Sequence, residues 1–146
     1  MLKRLLYFLF VDDVLKKDIV LLKKISLFSG LSKRSLIKIA LLIFKKKYVQ
    51  YEKIYEENKE ANVLYILKDG QVRLTEKKSS KILESGDFFE EISLIENCTH
   101  KHDASALKDS ELYLIYRTKL LDLFESDNKI GLEIMKNLAS IFAKKL

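Results

Sequence analysis

Proline is absent from this chain of 146 residues, and glycine occurs only four times. No low-complexity or flexible linker is therefore visible. The single cysteine, Cys98, rules out an intramolecular disulfide and suits a reducing compartment. No apolar run is long enough to span a bilayer. The first eleven residues imitate a signal peptide, but Asp12-Asp13 follow at once and no small-residue cleavage site appears. There is no Gly-x-x-x-x-Gly-Lys phosphate loop and no nucleophile elbow, so a non-enzymatic protein is expected. What is present is 48% apolar and 33% charged residues, enough for one globular, cytoplasmic domain with a real core. The net charge of +6 is uneven: residues 1–50 carry +9, residues 51–110 carry −4 and residues 111–146 carry +1. The basic front end lacks the aromatic and glycine pattern of a nucleic-acid module and reads as a solvated lysine face.

Residues 12–24 read as a helix capped by Asp12 or Asp13, with Val14, Leu15, Ile19 and Leu22 at helical spacing. The apolar segment before it is expected to pack on the domain or on a partner, with a membrane-surface anchor as the minor reading. Gly30 breaks the chain, and Ser32 caps a second helix over 33–45, apolar at Leu36, Ile37, Ile39, Ala40, Ile43 and Phe44. From Lys46 the period shortens to that of strands. Tyr48, Gln50 and Ile54-Tyr55 suggest short ones, and residues 62–67 a clear one. Lys68-Asp69-Gly70 is a hairpin signal, followed by alternation at Val72 and Leu74. Residues 77–80 turn into Ile82-Leu83, and 104–107 and 111–116 are the last strands. A short helix over 118–125 precedes a final one over 128–145, capped by Ser126 or Asp127. Its Ile130, Ile134, Met135, Leu138, Ile141 and Phe142 cover more than one stripe. One stripe packs on the strands; Ile134, Met135, Leu138, Ile141 and Phe142 would supply a homodimer seam, unless the amino-terminal helix covers it. The expected fold is α+β: an antiparallel jelly-roll barrel of about eight short strands, flanked by N- and C-terminal helices. The expected division is an N-terminal helical extension (1–24) and one domain (25–146). The domain has a helical lead (25–45), a β-roll (46–117) and closing helices (118–146).

Three stretches occur in order: Leu27-Phe28-Ser29-Gly30-Leu31, residues 64–74 around Asp69-Gly70, and Gly86-Asp87-Phe88-Phe89-Glu90-Glu91. They resemble the leading segment, the hairpin and the opening of the phosphate-binding cassette of the cyclic-nucleotide-binding domain family, from about Ile25 onward. The resemblance implies a ligand site at Gly86, Phe88, Phe89, Glu90, Glu91, Ile92, Ser93, His100, Lys101 and His102, with Arg73 from the hairpin. In the family, a glutamate at the position of Glu91 binds the ribose 2′-hydroxyl. The glycine that lets backbone approach the cyclic phosphate is here Glu90. The arginine that pairs with the phosphate is here His100, with Lys101 beside it, and the alanine and hydroxyl residue that follow are His102 and Asp103. Tyr51 and Asn58 stand where the family has turn glycines.

These departures are adverse to an anionic guest. A Glu90 carboxylate at a helix start would occupy the place of a phosphate, and a tethered anion has the advantage over a free one. Neither histidine nor lysine reproduces the bidentate arginine fork. Each change costs about 1–3 kcal/mol, and together they weaken binding on the order of a hundredfold or more. The leading expectation is a stand-alone regulatory module with weak or lost binding of a cyclic nucleotide or another small anion. It would act through a homodimer or another protein partner. A working cyclic AMP or cyclic GMP sensor, using Glu91 and His100 or Lys101, is the alternative. A metal-binding cupin is the third reading: Cys98, His100 and His102 would share one face of an extended strand. Otherwise no cofactor is expected. No DNA-binding domain is expected in the chain, since a helix-turn-helix would have to follow the last helix.

Overall fold

The computed structural model describes the backbone of residues 2–146 and the side chains of residues 2–4 and 13–146. Helix α1 (Leu2–Lys23) is followed by a single 3₁₀ turn (Ser26–Phe28) and helix α2 (Lys33–Ala40). Asp12 and Asp13 fall inside α1 rather than at its start. The packing expected of the apolar segment before them concerns side chains outside the described residues. Ser32 caps α2 as expected, accepting the Ser35 amide. The helix ends at Ala40, not at residue 45. Phe44 instead opens a strand, because residues 44–48 find a partner strand in register, Phe44 opposite Leu114 through Tyr48 opposite Ser110. A short apolar run cannot by itself declare which of the two it will be.

Ten short strands follow among the described residues: β1 (Phe44–Tyr48), β2 (Lys53–Tyr55), β3 (Glu60–Ala61), β4 (Val63–Asp69), β5 (Val72–Glu76), β6 (Ser79–Leu83), β7 (Phe88–Phe89), β8 (Cys98–Thr99), β9 (Asp103–Ala106) and β10 (Ser110–Tyr116). They form two four-stranded antiparallel sheets, β1-β10-β4-β7 and β2-β9-β5-β6, and a two-stranded ribbon, β3-β8. The class is α+β with a jelly-roll-like body, but among the described residues no ladder joins the two sheets into a closed barrel. Helices α3 (Arg117–Ser126) and α4 (Asn128–Lys144) end the chain, and Asp127 caps α4 by accepting the Ile130 amide.

Asp69-Gly70 does not make a hairpin. Strand β4 pairs with β10 and β7, while β5 pairs with β6 and β9, so this turn carries the chain from one sheet to the other. Gly70 has φ +108°, and a Cβ there would lie 2.6 Å from the Ser110 Cβ and 2.7 Å from its Cα. Glycine is required by both conformation and space. The true hairpin is β5-β6, closed by Lys77-Lys78.

The first sheet is a middle layer. Leu64, Ile66, Tyr113 and Ile115 face the helices and share a core with Ile19, Leu22, Leu36, Ile130, Ile134 and Leu138. Tyr65, Leu67, Leu112 and Leu114 face the other sheet and pack on Tyr55, Val72, Leu74, Phe89 and Ala104. This is the period-two alternation of strands read by two different layers. One buried charge fixes α1 to this body. Asp18 accepts the Tyr113 hydroxyl at 2.7 Å and lies 3.2 Å from the Lys45 ammonium.

The stripe expected to form a dimer seam is largely used within the chain. Ile134 and Leu138 are 0% and 2% exposed, buried against the helical core, and Met135, Ile141 and Phe142 are half-buried. Met135, Ile141 and Phe142 keep part of their surface outside the core.

Replacing Gly70 by Ala should destabilise the protein by about 2–4 kcal/mol, combining left-handed strain with overpacking on Ser110 backbone. Urea unfolding monitored by circular dichroism measures the loss, and an unchanged midpoint would show that the corner relaxes freely.

Candidate functional site

The site is built where three short pieces of chain converge: β2 with Tyr55, the segment after β7 with Glu90 and Glu91, and the bend between β8 and β9 with His100, Lys101 and His102. Strand β7 is held by pairing of Phe88 and Phe89 with Ile66 and Tyr65. The Phe89 ring stacks on Tyr65 with centroids 5.0 Å apart. Glu90 then turns left-handed, φ 67° and ψ 27°, and a four-residue 3₁₀ turn (Glu91–Leu94) follows. Ser93 braces this turn, its hydroxyl donating to the Glu90 carbonyl at 2.7 Å. A glutamate in this conformation carries roughly 1–2 kcal/mol of strain that glycine would not. Tyr51 and Asn58 are also left-handed, at φ 69° and 70°. The three departures at glycine positions thus keep glycine-type backbone.

The Glu90 side chain is not where the sequence placed it. It makes no hydrogen bond to the short turn it precedes. It turns instead into the body and is only 8% exposed. The Tyr55 hydroxyl donates to its Oε1 at 2.7 Å. The same oxygen lies 3.4 Å from His102 Nε2, and Oε2 lies 3.1 Å from His100 Nδ1. No aligned hydrogen bond reaches that last nitrogen, so the contact is one of proximity. His100 is 4% exposed and stacks on Tyr55, centroids 3.6 Å apart and planes 7° from parallel. Its backbone is pinned on both sides, by the Asn58 amide to its carbonyl and by its own amide to the Lys59 carbonyl, each at 2.8 Å. The Tyr55 hydroxyl also meets His102 Nδ1 at 3.0 Å. A buried carboxylate must be given partners, and this one has a phenol and two imidazoles.

Burial, followed by the Glu90 carboxylate, drives the Tyr55 phenol far above its ordinary pKa of 10. Burial also raises Tyr65 and Tyr113, the latter helped by its bond to Asp18, and takes Tyr48 up to about 12. The Cys98 thiol is raised by burial and then by Glu90 and Glu96, so it is less ready to be a thiolate.

Beside this cluster opens a cavity of 480 Å³, lined in part by Leu74, Leu83, Phe88, Phe89, Glu90, Glu91, Ile92, Lys101, His102 and Phe142. Glu91 is held at its mouth by Lys145, whose Nζ donates to Oε1 at 2.8 Å. Phe142 and Lys145 bring the last turn of α4 over the opening. Of the expected site residues, Gly86 shapes the turn at φ +94° and Ser93 is a buried brace. His100 sits behind Glu90. Arg73 does not join the site: Val72 and Leu74 point inward on β5, which leaves Arg73 exposed on the outer face of the second sheet. The proposed metal set is not assembled either. The chain bends at Lys101-His102, so Cys98, His100 and His102 do not share a strand face. Among the described residues no group of three His, Cys, Asp or Glu side chains could hold a metal ion. Two residues that contact the cassette glutamates escaped the sequence: Tyr55, signalled only as a short-strand position, and Lys145, for which no sequence signal exists.

The geometry is that of a roll with a cassette between β7 and β9 and the last turn of α4 at its mouth. Residues 45–127 match the family described as cyclic nucleotide-binding domain, and the chain belongs to that family. Among proteins of known role it is similar to the cyclic AMP receptor protein of Thermus thermophilus, 28% identical over 127 residues. That alignment covers 82% of this chain and 56% of the relative, so the chain spans little more than half of its length. The crystal structure of the catabolite activator protein of Thermus thermophilus aligns with a TM-score of 0.72 at 25% identity, covering 82% of this chain and 57% of that one. The N-terminal domain of a transcriptional regulator from Streptomyces coelicolor shares the fold, with a TM-score of 0.77 at 15% identity over 86% of this chain and 92% of its own. Among the described residues no helix is long and apolar enough to cross a membrane.

Two outcomes are expected from the cluster. Tyr55→Phe removes the donor to a buried carboxylate and should cost about 1–3 kcal/mol in urea unfolding. The buried tyrosines have folded-state pKa values raised above 10, so the stability they contribute is complete below pH 10 and is lost as pH rises through the folded values, the first near 12 for Tyr48. Melting temperature should therefore fall steeply above pH 10, with the tyrosinate absorbance of these buried residues appearing together with unfolding rather than before it.

Proposed function

We propose that this chain is a non-catalytic regulatory module of the cyclic-nucleotide-binding fold in which His100, at the phosphate-pairing position, is engaged by the chain's own Glu90 carboxylate. In this reading a cyclic nucleotide binds weakly or not at all, and the module works through partner contacts of its outer helices. One observation carries the proposal: His100, at the position matched to the family's phosphate-pairing arginine, faces Glu90 at 3.1 Å. An incoming phosphate would have to displace or join a buried carboxylate already held by Tyr55, His100 and His102, and it would find no guanidinium fork to receive it. Lys145, bonded to Glu91, adds a second internal contact that a sugar hydroxyl would have to replace or share. The regulatory role is supported by the receptor protein of Thermus thermophilus to which most of the chain aligns.

Titration calorimetry with cyclic AMP and cyclic GMP tests this. The natural sequence should bind neither more tightly than about 1 mM. Glu90→Gly combined with His100→Arg, which restores a glycine and an arginine to the cassette, should gain at least about tenfold. Micromolar binding by the natural sequence, or no gain in a folded double variant, would overturn the reading.

A further inference from the structure

We propose that the free edge of β1 is a docking strand for an extended, acidic segment of a partner protein. The inference is independent of what the cassette binds. Strand β1 ends the first sheet and, among the described residues, pairs with β10 alone. Alternate N–H and C=O groups along it therefore point away from the ladder, a template for one more strand. Among the described residues no backbone bond from a turn, loop or cap reaches residues 44–48. Residues 44–47 are all exposed, Phe44 at 54%, and Val49 just beyond the strand is 64% exposed. Apolar side chains thus stand in water at both ends of the edge.

Charge decides the occupant. Lys45, Lys46 and Lys47 follow one another along the strand. Lys45 is committed, its ammonium 3.2 Å from Asp18. Lys46 lies over the Tyr48 ring, 5.0 Å from its centroid. Among the described residues neither Lys46 nor Lys47 forms an ion pair. A second copy is a poor occupant. Two-fold antiparallel pairing about the strand centre would set Lys46 against Lys46 and Lys45 against Lys47, like charges directly opposite. The edges of the second sheet, β2 and β6, carry Lys53 and Lys81 and offer no acidic strand either. Nor is the edge a flat basic face for a nucleic acid or a lipid surface. Lys45 lies beside Tyr113 on the helical side and Lys46 beside Tyr48 on the other, while Glu111 stands opposite Lys47. An added strand meets both sides of its neighbour at once, whereas a duplex or a bilayer meets one. Lysines on an edge discourage neutral and basic strands. To an acidic strand the same residues are partners: main-chain bonds supply the affinity, and charge makes the choice.

Fluorescence anisotropy on the full chain with a labelled octapeptide of alternating glutamate and valine is the test. The peptide should bind more tightly than about 1 mM. The amide hydrogens of residues 44–48 should exchange more slowly in the complex. Lys46→Thr combined with Lys47→Thr, which keeps strand-forming side chains, should weaken binding by about fivefold or more with the unfolding midpoint unchanged. Lys46→Glu combined with Lys47→Glu should reverse the preference, toward an octapeptide of alternating lysine and valine. The acidic peptide N-methylated at every residue keeps its charge but has no N–H to donate, and it should not bind. No binding of the acidic peptide at millimolar concentration overturns the proposal. So does equal binding by the N-methylated peptide, or binding that the lysine variants leave unchanged. Displacement of the acidic peptide by duplex DNA or by phosphatidylserine vesicles that bind more tightly assigns the edge to another polyanion and also overturns it.

Discussion

A carboxylate buried from water has to be satisfied by the protein around it, and the Glu90 carboxylate imposes that demand on every element near the cassette. Tyr55 must present its hydroxyl from β2, and His100 must stack on that same ring to bring Nδ1 within 3.1 Å. The bend at Lys101-His102 must return a second imidazole to the same oxygen that Tyr55 serves. The left-handed backbone of residue 90 is the geometric condition for all of this, since it turns the side chain inward and away from the short 3₁₀ turn. The local strain is offset by the partners it gathers. None of these features is independent, and loss of one leaves the others with unpaired polar groups in a dry setting.

The fold was legible where pattern and turn chemistry agree. Alternation at Val72 and Leu74 placed β5, the stretch 111–116 fell on β10, and Ser32 and Asp127 cap the helices assigned to them. It was less legible where tertiary pairing decides. The stretch 41–45 carries a helical face, yet Phe44–Tyr48 becomes a strand because β10 offers its edge. Asp69-Gly70 has the composition of a hairpin, but the same residues serve a corner between sheets, and only the partners of β4 and β5 tell the two apart. The apolar stripe of α4 suggested an outside partner, and Ile134 and Leu138 met their own sheet and helices instead.

At the site, residue identity was legible and direction was not. The exchange of glycine for Glu90 and of arginine for His100 could be read from the resemblance to the family's cassette. Which way the glutamate turns could not, because an exposed carboxylate at a helix start and a buried one facing Tyr55 have the same sequence. The deciding residue, Tyr55, lies 35 positions away along the chain. Non-local partners of this kind leave no periodic trace.

Strand β10 separates two cores by the width of a peptide unit. Tyr113 belongs to the helical layer, where its hydroxyl holds Asp18 of α1, while Leu112 and Leu114 belong to the space between the sheets. A displacement of this strand along its own axis is therefore registered on both sides at once. The amino-terminal helix and the inter-sheet interior share a single ruler, and neither can be shifted against it without moving the mark read by the other.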